Sequence, residues 1–177
     1  MIANNVNVPT ITLPIGVDAT SINTVYITNG GGKNYTVNVK TGIKPAILLS
    51  NVAINHTWTI TASSIPQFNP EITLQYADAE GNAGFNGAGS MEVGVHNGTA
   101  WQIASPGVSP IGTPAARKVI FTNSLFGPTV ITNPGGLSYP LAVSSLDPSI
   151  SGIQLLPNVV NRETLLQVKS SKAMKTN

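Results

Sequence analysis

In VAINHTWTITA, residues 52–62, Val52, Ile54, His56, Trp58, Ile60 and Ala62 alternate with Ala53, Asn55, Thr57, Thr59 and Thr61. A helix returns to the same face every 3.6 residues and a strand every two. Alternation sustained over eleven residues therefore predicts a strand with one face buried and one wet. NYTVNVK repeats the pattern with Tyr35, Val37 and Val39 inward, and PEITLQYA repeats it with Ile72, Leu74 and Tyr76 inward. Strands with a solvent face belong to antiparallel sheets.

Turn chemistry supports the same reading. Asn97-Gly98 lies between two strand-like runs in SMEVGVHNGTAWQIA, and Asn-Gly supplies the positive φ angles of a two-residue hairpin turn. GGGK, Gly30 to Lys33, reads as a flexible hairpin turn, because it lacks the spacing of a phosphate-binding loop and joins two strands. RKVIFTN and SYPLAVSS add two more runs, separated by spacers such as SPGVSPIGTP and NPGG. Only 9% of residues are charged, against 17 Gly and 13 Pro, a balance that favours strands and tight turns over helices. The expected architecture is all-β, an antiparallel β-sandwich over residues 1–145. A linker of turn formers follows at 146–152, then a partial second β-domain at 153–177.

Charge and composition exclude several function classes. The formal charge is +2, but Arg162, Lys169, Lys172 and Lys175 all follow Pro157. Before Pro157 there are five basic and six acidic residues, so 5 − 6 = −1. Nucleic-acid binding needs a basic stripe on the folded domain, and the body offers none. The basic tail reads either as a defended strand edge or as a receptor contact. With no cysteine, there is no disulfide, thiolate metal site or Cys nucleophile. The start, MIANNVNVPT, has neither a basic nor an apolar leader region, and no run of about 20 apolar residues could span a membrane. That start fits a cytosolic protein or a segment of a longer precursor.

Hydrolysis through a nucleophile needs a base and an orienting group beside it. His56 and His96 are the only imidazoles, and no Gly-x-Ser-x-Gly elbow accompanies them. Both read as structural, and no enzyme is expected. Asp78, Glu80 and Asn82 are spaced like the start of a calcium loop, but Ala83 holds the position that needs Gly and no Glu closes the site. They are the only metal candidate, and no cofactor is implied. Asn34, Asn55 and Asn97 head glycosylation sequons of the kind that Asn/Thr-rich strands produce by chance. Trp58 shares its face with Ile54 and Ile60 and reads as core. Trp101, just after the turn, is free to serve as a sugar-stacking platform.

ITLPIG, HTWTIT, ITLQYADAEGNAGF, VGVHNGTAW and YPLAV, in that order, resemble an immunoglobulin-like β-sandwich module. It is found before the C-terminal signal of large surface proteins in Bacteroidetes. LDPSISGIQLLPNVVNRETLLQVKSSKAMKT resembles the beginning of the type IX secretion sorting domain. The first strands of that domain carry Tyr-Pro-Asn-Pro and then a Leu-rich alternating strand. Pro157 and Asn158 match the motif, and Leu166 and Val168 match the strand. Leu156 and Val159 stand where the Tyr and the second Pro fall, and the later half of the domain is absent.

The resemblance implies a non-enzymatic structural or adhesive module, located extracellularly or on the outer-membrane surface. Its partner would be the type IX machinery, reached through the C-terminal segment. Two alternatives stand beside it. One is a polysaccharide-binding module. The other is a subunit of an extracellular fibre that adds its tail strands to a neighbouring subunit.

Overall fold

A computed structural model describes residues 1–6 and 9–137. The expected strand at SYPLAVSS, the boundary near 145, and the tail with Pro157, Asn158, Leu166 and Val168 lie outside the described residues.

The described residues form an all-β antiparallel sandwich. Its strands are β1 Ile2–Val6, β2 Thr10–Leu13, β3 Val25–Thr28, β4 Lys33–Thr41, β5 His56–Ala62, β6 Glu71–Tyr76, β7 Met91–His96, β8 Trp101–Val108, β9 Ile111–Thr113, β10 Ala116–Thr122 and β11 Gly127–Thr132. They form a six-stranded sheet in the order β1-β4-β5-β11-β7-β8 and a five-stranded sheet in the order β2-β3-β6-β10-β9. Among the described residues no helix is long and apolar enough to cross a membrane.

Period-two patterning builds the interior. Tyr35, Val37, Trp58, Ile60, Met91, Val93 and Ile131 point inward from the larger sheet, and Val25, Ile27, Ile72, Leu74, Val119 and Phe121 meet them from the smaller one. Trp58 is fully buried, as its register requires. Its indole N–H donates to the Asn23 carbonyl oxygen at 3.2 Å, which satisfies the one polar atom that such a ring brings into a core. A second, smaller cluster of Ile47, Ala53, Trp101, Val130 and Leu137 lies on the outer face of the six-stranded sheet, with Ile43 and Ile103 packed against it. Residues 43–53 fold back across that face and cover it.

Four expectations change on contact with the fold. VAINHTWTITA is a strand only from His56. Ser50–Val52 forms a turn of 3-10 helix, while Ala53 and Ile54 make single bridges to Thr132 and Gly81. GGGK does not close a hairpin, since β3 and β4 belong to different sheets. Left-handed φ angles at Asn29, Gly31 and Gly32 turn the chain across the sandwich instead. The β7–β8 hairpin exists, with His96 opposite Trp101, but residues 97–100 close it as a four-residue loop. There the Asn97 N–H donates to the Ala100 carbonyl at 3.1 Å, and Gly98 alone in the loop has a positive φ. Finally, β6 has little solvent face. Thr73 and Gln75 are buried beneath Tyr26, whose hydroxyl donates to Gln75 Oε1 at 3.2 Å and whose ring lies 4.4 Å under Lys118 Nζ.

Candidate functional site

Four ionisable side chains, His56, Asp78, Glu80 and Arg117, gather where β5 and β10 begin and β6 ends. Just past β6, Asp78–Glu80 makes one turn of 3-10 helix, and its two carboxylates diverge. Glu80 turns inward. Its oxygens accept from Asn23 Nδ2, each at 3.0 Å, and Oε2 also accepts the Ala77 N–H at 2.8 Å. Oε1 stands 3.3 Å from His56 Nε2, an ion-pair distance off the line of a well-formed hydrogen bond. Asn23 belongs to the smaller sheet's side and His56 to the larger sheet, so one carboxylate ties the two sheets together.

His56 is 5% exposed and has an acceptor on each side, the Asn55 carbonyl at Nδ1 and Glu80 at Nε2. Only the doubly protonated ring can donate in both directions. Burial works against that charge, but Glu80, the Asn55 carbonyl and the more distant Asp18 outweigh it, and the His56 pKa is raised. Burial likewise works against the Glu80 charge. The contacts from His56, Ala77 and Asn23 prevail, and its pKa is lowered.

Asp78 turns outward to Arg117 on β10, Nε to Oδ1 at 2.7 Å, and its N–H donates to the Pro114 carbonyl at 2.7 Å. Gly87 presses against this carboxylate so closely that a Cβ there would sit 1.9 Å from Oδ1. Asn82 points a third way, Nδ2 donating to the Ser50 carbonyl at 2.7 Å. The calcium-like spacing therefore places Asp78, Glu80 and Asn82 on one turn with each side chain aimed at a different protein partner. Among the described residues no three His, Cys, Asp or Glu side chains converge as a metal site would need.

Beside this turn lies an open groove of about 520 Å³, lined by Ile43, Ala46, Ile47, Ser50, Asn51, Asn55, Asn82 and Ala83. None of these residues is charged. The Asn51 and Asn55 side-chain amides make no hydrogen bond within the described residues, while backbone bonds from Gly84 to Asn51 and from Asn55 to Glu80, each 2.9 Å, fix the walls. Amide groups that both donate and accept, set among aliphatic side chains, suit a neutral polyhydroxylated or peptidic ligand.

Trp101 is not available for stacking. It is 5% exposed, its indole N–H donates to the Ala46 carbonyl at 3.2 Å, and His96 packs edge-on against it with centroids 5.3 Å apart. Ile43, Ile47 and Ala53 of the loop pack in the same cluster as the ring. No protein-family description, curated protein or solved structure matches the chain.

Sequence reasoning missed both the His56–Glu80–Asn23 cluster and the groove. The first had a usable signal, since a histidine in the buried phase of a strand needs an acidic or carbonyl partner. The second had none, because its walls come from two loops distant in sequence.

Proposed function

We propose that the body is a non-catalytic structural and adhesive β-sandwich module displayed extracellularly or on the outer-membrane surface. The C-terminal segment carrying Pro157, Asn158, Leu166 and Val168 would engage the type IX secretion machinery. The observation that carries this reading is where the charges go. His56 is paired with Glu80 and Asp78 with Arg117, in each case across elements of the fold. They hold a loop in place and face no cleft. The sorting half of the reading rests on the resemblance of the tail.

The test has two arms. The purified chain is screened against ester, peptide and glycoside substrates, where nothing above background is expected, and turnover abolished by His96→Ala would refute the non-catalytic reading. The tail completed by a downstream sorting half is fused to a reporter in a cell with a type IX system. Export is expected, and retention of the reporter inside the cell would remove the sorting role.

The groove favours a second reading, a polysaccharide-binding module that uses carboxamides in place of an aromatic platform. Retardation in polysaccharide affinity gels, lost in Asn51→Ala/Asn55→Ala, separates it from a bare spacer. Strand donation in a fibre has less support from the body. Of its edge strands, β9 has three residues and β2 four, while β8 carries Pro106 and an irregular register against β7. Short, proline-bearing and bulged edges resist the addition of a strand.

A further inference from the structure

Asn-Gly occurs three times in the chain, at Asn29-Gly30, Asn86-Gly87 and Asn97-Gly98. Glycine leaves its own backbone nitrogen open to approach by the preceding side chain, because no Cβ shields it. At one of the three the surroundings amount to acyl-transfer machinery.

The side-chain carbonyl oxygen of Asn97, Oδ1, accepts two backbone N–H groups, those of Thr99 and Ala100, each at 2.9 Å. Two N–H donors at this distance polarise the carbonyl carbon and are placed to hold negative charge on the oxygen. The Gly98 N–H, attached to the nitrogen that would attack, donates to His96 Nδ1 at 3.1 Å. His96 is steadied by its edge contact with Trp101. A nucleophile, a base within hydrogen-bond reach, an oriented ring and a two-donor oxyanion site thus meet on an exposed hairpin.

We propose that Asn97 is a self-modifying site, at which the hairpin catalyses its own deamidation. The Gly98 backbone nitrogen bonds to Asn97 Cγ while its proton passes to His96 Nδ1. The electron pair displaced onto Oδ1 is held by the Thr99 and Ala100 N–H groups. Collapse breaks the bond between Cγ and the amide nitrogen, His96 returns the proton, and ammonia leaves a five-membered succinimide. Water then opens either ring C–N bond to give aspartate or isoaspartate. The net change is amide plus water to carboxylate plus ammonium, with no electron transfer. The hairpin tip gains a negative charge next to His96, and the isoaspartate form inserts a methylene into the four-residue turn.

The other two Asn-Gly pairs are internal controls. Asn86 Oδ1 accepts a single N–H, from Ala88 at 3.2 Å, and its own N–H is held by Asn133. Asn29 sits in a left-handed conformation at the crossing between sheets. Neither has an imidazole on the following N–H, as the only other histidine, His56, is buried against Glu80.

The experiment ages the full chain at neutral pH and body temperature and maps aspartate and isoaspartate at the three sites by peptide mass spectrometry, in native buffer and in urea. Expected is conversion at Asn97 at least about tenfold faster than at Asn29 or Asn86, modest for a positioned general base because the tip is solvated. His96→Gln should bring Asn97 down to the control rate, and urea should bring all three sites together. Conversion at Asn97 no faster than at the controls in the native fold would overturn the proposal. So would an advantage that persists in urea or in His96→Gln with near-native Trp fluorescence, since the rate would then belong to the local sequence and not to the geometry.

Discussion

Replacing Glu80 with Gln tests the link between the two sheets while nearly keeping its shape. Three hydrogen bonds and an ion-pair contact converge on the Glu80 carboxylate. The amide can keep one acceptor oxygen, but it turns an N–H₂ toward a donor and leaves His56 without its counter-charge. Hydrogen bonds to a charged group contribute roughly 1.5–3 kcal/mol, and breaking a fully buried pair costs about 3–5 kcal/mol. Glu80 is 14% exposed, so water recovers part of that loss, and about 2–3 kcal/mol is expected near pH 6.

The cost depends on pH with a definite sign. The raised His56 pKa stabilises the fold fully below histidine's ordinary 6.5, and this share is lost as pH rises through the folded value. The lowered Glu80 pKa stabilises it above 4.5, and that share is lost as pH falls through the folded value. Both shares are therefore present between about pH 4.5 and 6.5. Above the folded His56 value the neutral ring turns a lone pair toward the Asn55 carbonyl or toward Glu80, and the wild type itself loses this share. Urea unfolding followed by Trp fluorescence should show a Glu80→Gln deficit that is largest between about pH 4.5 and 6.5 and shrinks as the pH rises through the folded His56 value. A deficit that does not change as the pH rises, or one below about 0.5 kcal/mol at pH 6, would refute the charged pair.

Trp58→Ala should cost about 3–5 kcal/mol by urea unfolding, from the lost burial and the cavity left behind, and a loss under about 1 kcal/mol would contradict its place in the core. Melting in calcium and in chelator should agree, because Asp78 and Glu80 already hold protein partners. A rise of several degrees with calcium that disappears in Asp78→Ala would make the turn a metal site.

The parts legible in the sequence were those governed by period two. Tyr35, Val37, Ile72, Leu74, Tyr76, Trp58 and Ile60 point where alternation puts them, because a strand with one wet face leaves no other choice. What failed depends on contacts far along the chain. A Gly-rich turn at 30–33 has the same local chemistry whether the next strand pairs alongside or crosses to the other sheet, and only β6 and β5 as neighbours decide it. Trp101 sits in a register open to solvent until residues 43–53, some fifty positions earlier, cover it. The covered outer face of β6 has the same cause, since Thr73 and Gln75 look solvent-facing until Tyr26 from β3 lies over them. The turn at 97–100 departs from the two-residue form for a local reason. Asn97 caps two N–H groups instead of adopting a positive φ, and this lengthens the loop.

The last described strand holds one of the two central positions in its sheet. β11 lies between β5 and β7, with Thr129 opposite both Trp58 and Val95. A ribosome delivers residues in chain order, so the β1-β4-β5 group and the β7–β8 hairpin must each wait for a partner that emerges after both. During that interval two inner strands expose their backbone donors and acceptors to any other chain that can pair with them. A stall, a nick or a truncation before Gly127 would prolong that state. Six residues, Gly127–Thr132, thus set the earliest moment at which the inner edges of β5 and β7 are covered.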